Sequence, residues 1–316
     1  MTMHRILITG GAGYIGTALA HNFLSQGYQV SIFDNFSTGQ REKIPQGAQV
    51  IVGDVTKRAE ISEAMKQSAP TQVIHLAALK MVGESEEDPG KYYRVNVLGT
   101  LNVLEAMKEQ KISSIIFSST AAVYQPTSQG VYQETNALEA NSVYGSTKII
   151  CEELIKQYAR LGYIQSYTIF RYFNVAGDVG ISYLDTQAQN VFPLLAQAIT
   201  RGSEFAIFGD DYNTQDGTAV RDYIHLADLV SAHKSVLGLS HQEVFNLGTN
   251  IGTSVRMLVD AFEKVAGKPL VQKIEVRRPG DAECAIALCD KAYSYLSWKP
   301  QKTLEDMISS TLEVYE

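Results

Sequence analysis

Cysteine and tryptophan are nearly absent from this chain, with three and one in 316 residues. Cys151, Cys284 and Cys289 show no C-x-x-C or metal-like spacing, and an odd count argues against a disulfide framework. Positive charge is also short: 27 Lys and Arg against 34 Asp and Glu give a net charge of −7, and no basic stripe stands out. Nucleic acid is therefore not an expected partner. No apolar run approaches the roughly 18–20 residues of a membrane span, so no membrane partner is expected either. The opening MTMHRILITGG runs into strand-like sequence without the pattern of a secretory leader. With the few thiols, this gives a reducing, cytoplasmic setting as the expectation. His75, His225 and His233 have no second histidine or carboxylate cluster at ligand spacing, so no metal is expected and they read as hydrogen-bonded structural residues. Internal repeats, low-complexity tracts and proline-rich linkers are missing too.

What is present alternates. Strand-like RILITG leads to a helix over about 14–26, then YQVSIFD, QVIVGD, a helix near 57–68 and TQVIHLAA. A helix near 93–109, SSIIFSS, a helix near 143–160 and SYTIFRYFN continue the pattern. Strands separated by helices of this length predict an α/β fold with a doubly wound, mostly parallel sheet and helices on both faces. Unbroken apolar runs such as VIHLAA suit strands buried on both sides. The regularity ends near residue 174. Residues 1–174 are therefore expected to form a dinucleotide-binding Rossmann domain and 175–316 a smaller substrate lobe. The stretch 222–248 reads as one more helix–strand unit returning to the main sheet.

LITGGAGYIG places Gly11, Gly13 and Gly16 in a G-x-G-x-x-G spacing between a strand and a helix. Read in order, they serve a tight turn, close backbone approach to a pyrophosphate, and close helix–sheet packing. The helix start beyond offers N–H groups and partial positive charge to phosphates. Asp34 ends the next strand, 18 residues after Gly16. A carboxylate there either caps a loop or accepts the ribose hydroxyls of NAD, where it would repel the extra phosphate of NADP. Asp54 after the third strand poses the same choice between loop capping and a contact to the adenine amino group.

Tyr144 and Lys148 stand four apart on a predicted helix, hence on one face. A phenol titrates near 10, so service as a base near neutrality needs help worth about 4 kcal/mol. A neighbouring ammonium and a cationic nicotinamide ring are the expected sources. Spacing alone proves little, because Tyr295 and Lys299 repeat it just before a proline and read as structural. Tyr144 differs in following a strand that ends in Ser118, Ser119 and Thr120. A strand-end hydroxyl, a Tyr and a Lys four later suit hydride transfer at an alcohol carbon, with Thr120 sharing a hydrogen bond and Tyr144 taking the proton.

TGGAGYIG, LAALKMVGES, SSTAAVY, YGSTK, RYFN, AIFGDDYNTQDGTAVRDYIHLADL and RRPGD together resemble the extended short-chain dehydrogenase/reductase family, and within it the UDP-hexose 4-epimerases. The resemblance covers nearly the whole chain. It implies Tyr144, Lys148 and Thr120 as catalytic residues, NAD as cofactor, a UDP-sugar as substrate, and a homodimer. It implies cofactor contacts at Gly10, Gly11, Gly13, Tyr14, Ile15 and Gly16, and at Asp34, Asn35, Asp54 and Val55. Further cofactor contacts fall at Leu76, Ala77, Ala78, Lys80, Asn96, Ser118 and Phe173, besides Tyr144 and Lys148. For the substrate it implies Thr120, Asn174, Asn190, Val191, Ala206 and Phe208, the last near the uracil. Arg221 and Arg278 fall to the diphosphate nucleotide, Asp281 to a ribose hydroxyl, and Tyr223 and Ala285 to the same site. Taken singly, such arginines and asparagines are equally readable as surface or capping residues.

The fold is shared by enzymes that do more than oxidise an alcohol, so the reaction must be read from the site. Relatives that eliminate water carry Asp-Glu after the catalytic hydroxyl. This chain has Ala121 and Ala122, which neither donate nor accept a proton. The implied reaction is 4-epimerisation of a UDP-hexose through a 4-keto sugar. The alternatives are an NAD-dependent UDP-sugar oxidoreductase or decarboxylase, and an NAD-sensing module without chemistry, which would not need hydroxyl, Tyr and Lys together. Ala285 stands where relatives limit space around the sugar, which implies acceptance of N-acetylated UDP-hexosamines as well. Gln125 replaces the usual glycine, without an explanation from sequence, and the segment 175–189 is shorter than usual.

Overall fold

A computed structural model describes residues 4–184, 190–278 and 281–316. The last residues of the shortened 175–189 segment, and Pro279 and Gly280 of RRPGD, lie outside them. The chain divides into two compact units. The first takes residues up to Gln125, Ala137–Arg171 and His233–Phe245; the second takes Pro126–Asn136, Tyr172–Ala232 and Asn246 onward.

The first unit holds nearly all of a seven-stranded sheet. Its order is Gln242–Leu247, Ser166–Tyr172, Ser114–Thr120, Gln72–His75, Arg5–Thr9, Gln29–Asp34 and Gln49–Val52. The pairs on both sides of Arg5–Thr9, that of Gln29–Asp34 with Gln49–Val52 and that of Gln72–His75 with Ser114–Thr120 are parallel. Leu7, Ile8, Ile32, Val73, Ile74, Ile115 and Ile116 are buried, as strands covered on both faces require. The chain runs outward from Arg5–Thr9 to one edge, then returns to build the other half from Gln72–His75. That reversal puts a topological switch point at the carboxyl ends of these two strands, where open α/β sheets bind ligands. The doubly wound parallel fold expected from the alternation is the one the chain adopts.

Two local differences have physical reasons. The helix expected over 93–109 begins as a wide π turn, Tyr93–Leu98, before the regular helix Gly99–Gln110. Within that turn Asn96 directs its amide at Leu79 and Thr147. The stretch from 222 splits into a strand, Val220–His225, and a helix, Leu226–Ser235. Val220–His225 belongs to a second sheet, while Gln242–Leu247 forms the edge of the first.

In the second unit, Val220–His225 is flanked by Gly252–Ser254, Cys284–Ala287 and Asn174–Ala176. The helices Val191–Arg201, Val255–Ala266 and Leu304–Tyr315 contribute Phe192, Leu195, Leu258, Phe262 and Ile308 to its core. Asp222 organises this sheet. Fully buried, it accepts from Thr249 N–H at 2.8 Å, Thr249 Oγ1 at 2.7 Å, Asn250 N–H at 3.0 Å and Ala287 N–H at 3.1 Å. Burial pushes its carboxyl up to about 6 against the pull of these donors. One side chain thus fixes the strand that carries Arg221 and Tyr223 to a loop and a neighbouring strand. Asp222→Ala leaves three N–H groups without their acceptor, that of Ala287 buried and those of Thr249 and Asn250 half-buried, and should destabilise the protein by about 3 kcal/mol in urea unfolding. A loss below about 1 kcal/mol would contradict this role.

Candidate active site

The glycine turn divides its tasks differently from the order read in the sequence. The tight turn belongs to Gly10, with φ +71°, where a Cβ would lie 2.6 Å from Ala77 N. A Cβ on Gly11 would meet Ile32 at 2.8 Å, so Gly11 serves strand packing. On Gly16 it would lie 2.6 Å from Gly10 O and Gly11 Cα, which makes Gly16 the close-packing position expected. Gly13 is the exception, because its nearest neighbour would be Gly10 O at 3.3 Å. It is the N-cap of the helix Tyr14–Ser25, no side chain caps that helix, and no acid stands in its first turn. The residues present therefore fit a dinucleotide pyrophosphate: a close approach at Gly13, with Tyr14 and Ile15 at the positive end of a helix.

Asp34 turns out to cap a loop and still fit a ribose. Its Oδ2 accepts from Ala12 N–H at 2.9 Å and its Oδ1 from Phe36 N–H at 2.8 Å. Burial raises its pKa while these bonds oppose the rise. A carboxylate has about four acceptor positions, so two remain for hydroxyls. Asp54 Oδ1 accepts from Thr56 N and Oγ1, both at 2.8 Å, and Oδ2 from Asn35 Nδ2 at 3.1 Å. Burial opposes ionisation there, but the Thr56 and Asn35 bonds and Lys57 hold the pKa below the ordinary carboxylate value. Leu76, Ala77 and Ala78 are partly exposed and Lys80 exposed, on the loop after Gln72–His75.

Three further expected cofactor contacts, Val55, Asn96 and Phe173, are buried. Val55 sits in the core and its carbonyl accepts from Asn102 Nδ2 at 2.9 Å. Asn96 is 1% exposed, and its Nδ2 donates to Leu79 O and Thr147 Oγ1, both at 3.0 Å, while Oδ1 accepts from Leu79 N–H at 2.8 Å. Its amide holds the loop that follows Gln72–His75. Phe173 is buried and falls in the second unit.

The helix Val143–Arg160 presents Tyr144, Lys148 and Glu152 four residues apart, and each meets the end of the strand Ser114–Thr120. Lys148 Nζ donates to Ser118 O at 2.8 Å and lies 4.8 Å from the Phe117 ring centroid. Ser119 Oγ donates to Glu152 Oε1 at 2.6 Å. The Thr120 hydroxyl hydrogen-bonds with the Tyr144 phenol. Gly145 allows this approach: a Cβ there would lie 2.3 Å from Ala122 O. Ser142 caps the helix by accepting from Gly145 N–H at 3.1 Å. Thr120 also accepts from Ala122 N–H at 3.2 Å, closing the short Ala121–Val123 turn. Ala121 and Ala122 are partly exposed.

Burial dominates the electrostatics of Tyr144 and Lys148 in the protein alone. Burial pushes the Tyr144 phenol up to about 12, with Thr120 pulling it down and Cys151 pushing it up. The Lys148 ammonium is not among the influences on the phenol, and burial sets the direction of the shift. Burial also lowers Lys148 to about 8, against the Cys151 and Glu152 charges. The other Tyr-x-x-x-Lys behaves as a control: its helix ends at Tyr295, which is 50% exposed, and Lys299 lies beyond.

The second unit gathers several expected substrate residues around Val220–His225. Arg221 stands opposite Ala285 in the strand register and Tyr223 opposite Asn174. Arg221 is ion-paired with Asp281. Arg278 stacks 3.9 Å over the Phe208 ring, in the strand Phe205–Phe208 that also carries Ala206. Tyr223 is buried against Phe192, and burial pushes its phenol up. Asn190 and Val191 begin the helix Val191–Arg201. Reading the sequence did not single out Glu152 or Ser119. The signal for Glu152 was available, as it extends the Tyr144–Lys148 spacing by another four.

The glycine geometry separates fold from binding. Gly16→Ala should lower the urea midpoint clearly, whereas Gly13→Ala should unfold nearly like the parent yet be purified with markedly less bound dinucleotide. Equal dinucleotide content in Gly13→Ala would contradict the assignment.

The model of the NAD dependent epimerase/dehydratase family matches residues 6–248. A UDP-glucose 4-epimerase of Corynebacterium glutamicum is 40% identical over 306 residues, 95% of this chain and 92% of that protein. The structure of a Stenotrophomonas maltophila UDP-glucose-4-epimerase with bound NAD and formylated UDP-arabinopyranose superimposes with a TM-score of 0.92 at 33% identity, covering 99% and 98% of the chains. That of a Bifidobacterium longum UDP-glucose 4-epimerase with NAD+ and UDP gives 0.91 at 34% identity, covering 98% and 97%. With its glycine turn, Asp34 and the Thr120–Tyr144–Lys148 cluster, the chain belongs to the NAD dependent epimerase/dehydratase family.

Proposed function

We propose that this chain interconverts UDP-galactose and UDP-glucose by inverting sugar carbon 4, using tightly bound NAD. The observation that carries this reading is the Thr120–Tyr144–Lys148 cluster beside a turn, Ala121–Ala122, that has no acid or base. Such a site exchanges one hydroxyl proton and one hydride, with nothing to remove a second proton.

Gly13 and the helix start beyond it would hold the pyrophosphate, and Asp34 would accept the adenosine ribose hydroxyls. NAD, when bound, supplies the acceptor and donor of the carbon 4 hydride and a positive ring that favours the Tyr144 phenolate. Tyr144 then takes the proton of the 4-hydroxyl, and Thr120 steadies both oxygens through its hydroxyl. Lys148, anchored on Ser118 O, keeps positive charge beside the developing phenolate. Inversion requires the 4-keto sugar to turn over between the two transfers, so the nucleotide must be held firmly and the sugar loosely. Arg221 and Arg278 serve the diphosphate and Asp281 a ribose hydroxyl, with Asn174, Asn190, Val191, Ala206, Phe208 and Tyr223 completing the nucleotide-sugar site. The small side chain of Ala285 leaves space for an N-acetyl group.

The active species is a homodimer. Tyr93, Leu98 and Ile150 are 42%, 40% and 36% exposed on the π turn and the Tyr144 helix, which pack together. The three cysteines are unpaired, in keeping with a cytoplasmic setting.

Incubation with UDP-galactose and no added nicotinamide should yield UDP-glucose without net change at 340 nm, and UDP-N-acetylglucosamine should also turn over. Tyr144→Phe should lower kcat by about 10²–10⁴-fold with little change in urea stability. No interconversion by the parent, or full activity in Tyr144→Phe, would overturn the reading. Light scattering should give twice the chain mass, and Tyr93→Lys with Ile150→Lys should halve it; a monomeric parent would remove the dimer.

A further inference from the structure

Glu152 and Arg171 form an ion pair inside the first unit, with side chains 0% and 3% exposed. Arg171 Nε donates to Glu152 Oε1 at 2.9 Å and Nη2 to Oε2 at 2.6 Å, a bidentate match. Arg171 Nη1 donates to the Tyr124 hydroxyl at 3.0 Å, and the guanidinium lies 4.9 Å over that ring. Ser119 Oγ donates to the same carboxylate, to Oε1 at 2.6 Å. Four pieces of chain meet here: the hydroxyl-bearing strand at Ser119, the residue ending the alanine turn at Tyr124, the Tyr144 helix at Glu152, and the strand Ser166–Tyr172 at Arg171.

A buried ion pair is a weak source of stability, since apolar replacements are often neutral or better. Its place suggests another task. Ser118, Ser119 and Thr120 are consecutive, and they bind Lys148, Glu152 and Tyr144 on one helix face. The Glu152 rung is the only one of these three made by a fixed charge that a second strand also grips.

We propose that the Glu152–Arg171 pair is a positioning device that locks the Tyr144–Lys148 helix in register with the strand-end hydroxyls and the alanine turn. It rests on the proposed epimerase reading for its kinetic consequence, though not for its geometry. Glu152 touches neither sugar nor cofactor in this account. It acts through Ser119 on the flanking residues Ser118 and Thr120, and by its charge on Lys148.

Charged and titratable groups face this pair from several elements. Tyr144, Cys151 and Lys156 share the helix with Lys148 and Glu152, Lys156 Nζ being 3.6 Å from Glu152 Oε2. His75 from the neighbouring strand feels the Lys148 charge and is held neutral by burial, its pKa pushed down to about 3. Tyr167 and Arg171 face Glu152 from the strand Ser166–Tyr172. Glu152 is a carboxylate that favours the Lys148 ammonium. Removing its charge therefore lets Lys148 lose its proton at lower pH.

The test uses the full-length holoprotein with the charge-free replacement Glu152→Gln/Arg171→Met and with Ser119→Ala. Parent and variants are compared by urea midpoint, bound NAD, kcat and KM for UDP-galactose, the pH profile of kcat, and crystal structures. The double variant should match the parent in midpoint and NAD content, keep KM within about threefold, and lose roughly 10–100-fold in kcat, as expected for small misplacements of reacting groups. The alkaline limb of its kcat profile should move to lower pH, and Lys148 should leave the Ser118 carbonyl in its structure. Ser119→Ala should lose several-fold in kcat at unchanged stability, and it decides the matter if the double variant does not fold. Parent-like kcat and pH profile, with Lys148 still on Ser118, would overturn the proposal. If the parent itself does not epimerise UDP-galactose, the epimerase reading fails alone, and the position of Lys148 in the variant structures still decides this one.

Discussion

The site depends on three neighbouring contacts between one strand end and one helix face. Ser118, Ser119 and Thr120 are tied to Lys148, Glu152 and Tyr144. The contacts are possible because Gly145 lets the helix rest on the Ala122 carbonyl, where any Cβ would collide. A lysine held this way is costly to keep charged, since burial brings it down to about 8. The phenol beside it is pushed the other way, to about 12. The protein alone thus holds a reluctant base. Positive charge brought by the nicotinamide is what makes the proposed proton transfer feasible, which links chemistry to cofactor occupancy.

That link accounts for the division of labour in the glycine turn. A Cβ on Gly10, Gly11 or Gly16 would meet the protein within 3.0 Å, whereas on Gly13 it would meet Gly10 O alone, at 3.3 Å. Asp34 combines both uses, since it ties Ala12 and Phe36 into the loop while keeping acceptor positions unspent.

Much of this was readable from the sequence. Continuous apolar runs separated by helix-length spacers gave the parallel sheet, and the tyrosine and lysine fell on one face because four residues make about one turn. Other features were not readable, for reasons of physics. Asn96 fixes the loop after Gln72–His75 through an amide bonded to Leu79 and Thr147, within a π turn that no 3.6-residue pattern encodes. The phenol's high pKa reflects burial, which residue spacing does not report. Val220–His225 looked like the front of a helix because its polar residues, Arg221 and Asp222, face partners far along the chain: Asp281 and the 249–250 turn. Arg171 stood in plain view in RYFN, yet its meaning lies in Glu152 on another element.

The central claim is that the hydrogen taken from sugar carbon 4 is the one returned to it, by a cofactor that stays bound. UDP-galactose labelled with tritium at carbon 4 tests this most directly. The account predicts UDP-glucose with the label still at carbon 4 and none in water or in added nicotinamide. Label released to solvent would contradict it.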